Sequence, residues 1–427
     1  MQKDEFKTSR TLYIIEAMVE YFISLMVSGA FLAKLTSALG LSDSLTGILS
    51  SFVSLGCTFQ LVAILLASKK PVKRWVTALH IVNQLFFALV YFVPFVHISR
   101  TLKTVIFIVI LLSGHAINNV VFSPKLNWYM SLVDDKKRGV FTANKEIVSL
   151  LGGILFSLAM GAVIDEFDAV GNQSGALIFC GLGVFGLMLI HTLTLLFSKE
   201  KQDLPMQNDN HLSKPIIFPK GKNLFKLILF SCLWYVALYT TTPFYGTYQI
   251  KELGFSILFV SILTSAGSIC RAIFSRPMGK FADKFSFVKL INVCFVIELV
   301  ALIVAVFVVP SNGRITFAIY LILHYVAMAG INSSEINLIY DYVEKDKRVG
   351  ALALKKAIAG TVGFLTTLGM SALVEKIQSN GNSLFGISVY AQQVTAFISV
   401  IIVVIIIVYL NLVLKRMKKP DNKKQSD

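Results

Sequence analysis

Residues 123–165 read SPKLNWYMSLVDDKKRGVFTANKEIVSLLGGILFSLAMGAVID, and residues 333–375 read SSEINLIYDYVEKDKRVGALALKKAIAGTVGFLTTLGMSALVE. Set 210 positions apart, the two stretches share Ser123/Ser333, Asn127/Asn337, Val133/Val343, Lys137/Lys347, Arg138/Arg348, Ala143/Ala353 and Lys145/Lys355. The identities continue at Gly153/Gly363, Leu155/Leu365, Leu158/Leu368, Met160/Met370 and Ala162/Ala372, and Asp165 falls on Glu375. The same shift carries the basic segment Lys69–Arg74 onto Gly279–Lys284. Self-similarity at one fixed offset means the chain is a duplication.

What is duplicated follows from composition. Of 427 residues, 55% are apolar, 12% aromatic and only 15% charged, with a mean hydropathy of +0.71. Ordinary soluble chains carry about 25% charge, so a soluble enzyme is excluded, as are disordered and collagen-like chains. A helix crossing the hydrocarbon layer needs about 20 apolar residues. Charge-free runs that approach or exceed this length occur at 44–68, 75–99, 104–124, 147–164, 169–198, 227–250, 253–270, 315–334, 357–374 and 377–414. Two further apolar stretches carry carboxylates: 11–36 (Glu16, Glu20) and 288–309 (Glu298). Backbone in lipid must satisfy its own hydrogen bonds, which leaves helices or a closed barrel. The unbroken run Ile401–Val408 lacks the alternation of a barrel strand. The expected fold is an all-α polytopic membrane protein of 12 transmembrane helices. Six spans in each half keep the two copies in one orientation, as two six-helix bundles related by a pseudo-twofold axis along the membrane normal.

Charge placement orients the chain. The N-terminus, the loops after even-numbered spans and the C-terminal tail hold 31 Lys and Arg, against six in the opposite loops. The positive-inside rule then places both termini in the cytoplasm. The formal net charge of +16 thus reads as topology and attraction to anionic lipid, not nucleic-acid binding. The expected divisions are a cytoplasmic N-terminus (1–10), a first bundle (11–198), a polar cytoplasmic linker (199–222), a second bundle (223–414) and a basic tail (415–427). The first apolar stretch is too long and too acidic for a cleavable signal peptide. Cys57, Cys180, Cys232, Cys270 and Cys294 are scattered inside spans, with neither disulfide nor metal spacing.

With twelve spans, a central linker and parallel repeats, the chain resembles the major facilitator superfamily over its whole length. The family's loop signature, G-x-x-x-D-[RK], is matched after span eight by Gly279, Asp283 and Lys284; Ser286 stands where glycine is frequent, and the following arginines are missing. The first-half copy, Lys69–Arg74, has lost both glycine and aspartate. The loop Asp134–Gly139 also looks like the family's acidic-then-Arg-Gly element. The resemblance implies that Gly279, Asp283, Lys284 and Arg138 help hold an inner gate shut, and that spans one, four, seven and ten line a central cavity.

Polarity is concentrated in those same four spans. Glu16, Glu20, Ser24 and Ser28 follow at every fourth position, one helix face. Span four carries Asn118, Phe122, Lys125 and Tyr129 on one face and Asn119, Ser123 and Asn127 beside them; span ten carries Tyr325, Met328, Asn332 and Glu335. Span seven supplies Tyr235, Tyr239 and a run of threonines. At 1.5 Å per residue, Glu20 and Lys125 both lie about 13 Å from the inner face, and Glu335 is the repeat mate of Lys125. Charge at that depth is costly and points to function. The candidate solute- and ion-binding residues are therefore Glu20, Lys125, Glu335, Asn118, Asn119, Asn332, Tyr235, Tyr239 and Tyr325. Lys125 with Glu20 or Glu335 forms the expected polar centre, in which one carboxylate carries a coupling proton, or the pair is static, or it touches solute directly. Glu16 is expected near the interface, Glu298 paired structurally, and Arg271 at the end of span eight as an interface anchor. Of the histidines, only His115 and His324 lie in cavity-type spans.

The leading functional reading is a secondary active transporter that moves a small organic solute by alternating access, with a proton as the candidate coupling ion. Drug or amphiphile efflux on the same fold is the alternative, and a non-transporting sensor the more distant one. No phosphate-binding loop (GxxxxGK[ST]), HExxH or nucleophile elbow is present, so neither an ATP-driven pump nor an enzyme is expected, and no cofactor or metal. The expected partners are a small solute and the bilayer, with the protein functional as a monomer in the plasma (inner) membrane.

Overall fold

The computed structural model describes residues 5–62, 72–134, 138–201, 221–344 and 347–417. In chain order the helices are α1 (Lys7–Met26), α2 (Gly29–Ala38), α3 (Asp43–Val62), α4 (Val72–Leu89), α5 (Arg100–Met130), α6 (Arg138–Ala169) and α7 (Gln173–Phe197). They continue with α8 (Lys222–Thr247, extended by a π-helical turn Tyr248–Glu252), α9 (Ile257–Lys284), α10 (Phe287–Val306), α11 (Gly313–Tyr342), α12 (Arg348–Ser379) and α13 (Ala391–Leu412). Among the described residues, ten helices are long and apolar enough to cross a membrane, and eleven if the pair α1–α2, bent by 46°, is counted as one broken span. The 18-residue α4 stands where the twelfth is expected. The duplication is visible in the boundaries, since Arg138–Ala169 and Arg348–Ser379 are each 32 residues long and offset by the repeat.

Local chemistry sets the ends. Ser42, Ser99, Asn172 and Ser286 cap their helices by accepting the backbone N–H three residues on, which satisfies one of the free donors of a first turn. The α1–α2 break comes at Ser28, whose backbone is extended, and Gly29, whose φ of +52° is a left-handed conformation that glycine adopts without strain. Prolines lie inside α5 (Pro124), α8 (Pro243) and α9 (Pro277); each removes one rung of the helical ladder.

Three expectations need correction. The apolar run 377–414 is two elements: α12 ends at Ser379, and a two-stranded hairpin pairing Ser383 with Ser388 and Leu384 with Ile387 precedes α13. Gly381, Asn382, Phe385 and Gly386, all at positive φ, make this turn without a charge, so hydropathy runs through it unbroken. The run 75–99 is helical only to Leu89 in α4, with a 3-10 turn at Val93–Phe95 around Pro94. Gly279, Asp283 and Lys284, expected in a loop, lie on the last turns of α9.

Contacts divide the chain into two units: Met1–Pro205 with Tyr245–Ile262, and Met206–Phe244 with Leu263–Asp427. In the first, Tyr13, Val76, Val121, Trp128, Tyr129, Leu132 and Leu195 form a buried cluster at one end of α1, α4, α5 and α7. Tyr13 stacks on Tyr129 at 4.2 Å, and the Tyr129 hydroxyl donates to Ser198 Oγ at 2.9 Å. Glu200 caps the start of α4, accepting from Val72 N at 2.8 Å and Lys73 N at 3.1 Å. In the second unit, α10 and α11 approach closely: a Cβ added at Gly330 would lie 2.3 Å from Cys294 Sγ. Trp234 meets the edge of Phe295 at 5.2 Å, and both are buried. Most of the expected linker (202–220) and of the basic tail (418–427) lies outside the described residues.

Candidate functional site

The first unit holds a buried ionic centre. Lys125, in α5 directly after Pro124, reaches Glu16 Oε1 at 2.6 Å and Glu20 Oε2 at 2.5 Å. The two carboxylates belong together because they are four apart on α1, one turn along the same face. Lys125 is 3% exposed and Glu16 fully buried, whereas the Glu20 side chain keeps 20% of its surface. Glu16 is therefore not at an interface as expected. α1 begins at Lys7, earlier than the apolar run suggests, so Glu16 sits nine residues inside the helix.

A second layer lies behind Glu16. His191 of α7 places Nε2 2.9 Å from Glu16 Oε1, and its ring centroid is 5.1 Å from that of His80 in α4. Both histidines are fully buried. His80 Nδ1 and Nε2, His191 Nδ1 and Glu16 Oε2 have no hydrogen-bond partner among the described residues. One oxygen of Glu16 thus serves both Lys125 and His191 while the other is unpaired. The donor atoms of Glu16, Glu20 and His191 lie within 4.8 Å of one another, a spacing that could hold a cation. The Lys125 ammonium already fills that role, so any added ion must first displace it.

Glu335 is held differently. It accepts from Ser231 Oγ at 3.0 Å and lies 3.4 Å from Lys355 Nζ, which also donates to the Glu335 carbonyl at 3.2 Å. The repeat mate of Lys125 thus has a counter-charge within its own unit. Elsewhere in that unit Glu298, 2% exposed, meets His324 Nδ1 at 2.9 Å, which supports its expected structural pairing. Arg271 departs from expectation: instead of ending a span it lies midway along the 28-residue α9, its guanidinium 6.0 Å from the Tyr325 ring centroid.

The other expected residues scatter. Tyr235 and Tyr239 stack at 5.6 Å on α8. Asn118 Oδ1 is buried without a hydrogen-bond partner among the described residues, whereas Asn119 donates to the His115 carbonyl at 3.0 Å and fills the notch left by Gly56 of α3. Asn332 is exposed on α11. Of the gate candidates, Asp283 is exposed and Lys284 lies 5.4 Å from the Phe285 ring, while Arg138 opens α6 with its side chain outside the described residues. Sequence reasoning missed His191 and His80, because span six and span three are not cavity-type spans and a lone histidine carries no pattern. It also missed Asp165, whose carboxylate accepts from Ile257 N and Leu258 N at 2.9 Å each and caps the start of α9.

Comparison with known proteins places the fold. The family model described as Major Facilitator Superfamily matches residues 227–427. No curated protein matches the chain in sequence. Among solved structures, the nucleoside transporter NupG superposes with a TM-score of 0.70 at 12% identity, covering 96% of this chain and 100% of that one. A D-xylose-proton symporter gives a TM-score of 0.71 at 12% identity, with 94% and 96% coverage. A bacterial homologue of the iron transporter ferroportin, in its inward-facing state, gives 0.65 at 15% identity, with 95% and 97% coverage. At these identities the likeness is one of fold.

Proposed function

We propose that this chain, a member of the major facilitator superfamily, is a secondary active transporter that carries a small organic solute by alternating access and couples it to a proton at the Lys125 centre. The observation that carries the reading is one ammonium shared by two carboxylates inside the membrane span. Two carboxylates and one ammonium leave the cluster one negative charge in excess, and unbalanced charge in a low-dielectric interior is unfavourable. One added proton brings the cluster to neutrality while one Lys125–carboxylate pair remains intact. Glu20 is the carboxylate suited to exchange that proton, because it alone of the two keeps solvent-accessible surface. Glu335 is the second candidate, with Lys355 as its own counter-charge. Two of the similar folds, a nucleoside transporter and a D-xylose-proton symporter, support a small organic solute. The excess of Lys and Arg on one side supports cytoplasmic termini.

The test is accumulation of labelled solute in proteoliposomes under an imposed pH gradient. Wild type concentrates solute; Glu20→Gln still equilibrates it but no longer concentrates it. Loss in Glu335→Gln alone would move the coupling site to the second unit, and unchanged accumulation in both variants overturns proton coupling.

A further inference from the structure

The second unit contains a cation that no carboxylate meets among the described residues. Glu335 is engaged by Ser231 and Lys355, and Glu298 by His324. Arg271 is left: among the described residues its guanidinium has no hydrogen bond and no ion pair, only the face of Tyr325 at 6.0 Å.

Its position is not that of a snorkelling anchor. Arg271 is 14 residues past Ile257 and 13 before Lys284, about 20 Å from either end of α9 at 1.5 Å per residue. Helical side chains lean toward the helix N-terminus, so Arg271 points away from the basic end that carries Arg276, Lys280 and Lys284. Tyr325 confirms the depth, since it lies 12 residues into the 30-residue α11. The ring is seated by its surroundings. Gly267, one turn before Arg271, gives it space, because a Cβ there would come within 2.5 Å of Tyr325 Cδ2. His324 meets the same ring edge-on at 6.0 Å and is itself oriented by Glu298 and by stacking on the buried Tyr320 at 5.8 Å.

We propose that Arg271, backed by the Tyr325 ring, is the binding point for the carboxylate or phosphate of the transported solute, which is therefore a small organic anion. A guanidinium presents a planar fork that matches two oxygens of such a group. The anion supplies the counter-charge that Glu298 and Glu335, already engaged, do not. The aromatic ring lies 6.0 Å from the guanidinium carbon and adds a cation–π contact on that side. This inference rests on the transporter reading and adds the substrate class to it.

The experiment uses the purified full-length protein. Its unfolding temperature is measured with succinate, glycerol 3-phosphate or inorganic phosphate, against glycerol and erythritol, at constant ionic strength set with chloride. At least one of the acids is expected to stabilise wild type while the neutral compounds do not. Arg271→Gln is expected to weaken the apparent affinity by about tenfold or more, the loss of a charge-assisted pair. Arg271→Lys, which keeps the charge but not the fork, serves as the check that the site tolerates substitution and should fall between the two. No stabilisation by any of the three acids, or equal stabilisation of Arg271→Gln, overturns the proposal. Counterflow in proteoliposomes separates this from failure of the transporter reading. Exchange of a neutral solute that is indifferent to Arg271→Gln sinks the anion site and leaves transport standing. Arg271-dependent stabilisation without exchange of any solute does the reverse.

Discussion

At the residue scale the decisive fact is unequal burial along one face of one helix. Glu16 and Glu20 are a turn apart and share Lys125, but only Glu16 is fully buried and tied to His191. Removing one member of a buried pair leaves the other uncompensated, at a cost of about 3–5 kcal/mol. Lys125→Met is accordingly expected to destabilise the protein by that order in chemical unfolding from mixed micelles. Glu16→Gln should cost clearly more than Glu20→Gln, and equal or reversed costs would contradict the geometry. The four-residue spacing of Glu16 and Glu20 and the pairing of Glu20 with Lys125 were legible in the sequence. The partnership with His191 was not, because hydropathy measures position along a chain and says nothing of which neighbouring helix a side chain meets. Arg271 was misplaced for a related reason: a charge ends an apolar run on paper, although the helix continues for 13 residues beyond it.

At the element scale, small residues decide how closely helices approach. Gly330 of α11 faces Cys294 of α10, and both lie in the buried interface of these two helices. Gly330→Ala places a methyl group where sulfur already sits, so it should destabilise by about 1–3 kcal/mol. Cys294→Ala opens the space and should recover part of that loss in the double variant. A double-variant cycle showing simple additivity would mean that the two positions do not touch. The existence of most spans was readable from apolar runs, since lipid demands long apolar helices whatever they pack against. Their ends were less so. The charge-free turn at Gly381–Gly386 and the proline turn at Val93–Phe95 are set by backbone conformation, to which hydropathy is blind.

At the scale of the whole molecule, duplication was the strongest signal and the fold followed from it. The 210-residue repeat recurs as the matched boundaries of α6 and α12. The candidate site was less legible because the two copies have diverged in charge: Lys125 corresponds to Glu335, each is paired within its own unit, and Arg271 corresponds to Leu61. The proposed carriage of one solute with one proton makes use of that asymmetric charge. The most direct measurement of that claim is counterflow. Proteoliposomes loaded with unlabelled solute are diluted into trace label, using a panel of pentoses, nucleosides and small carboxylic and phosphoric acids. A transient overshoot of label is expected for at least one member of the panel, lost in Lys125→Met. No overshoot for any of them, from folded and inserted protein, contradicts it.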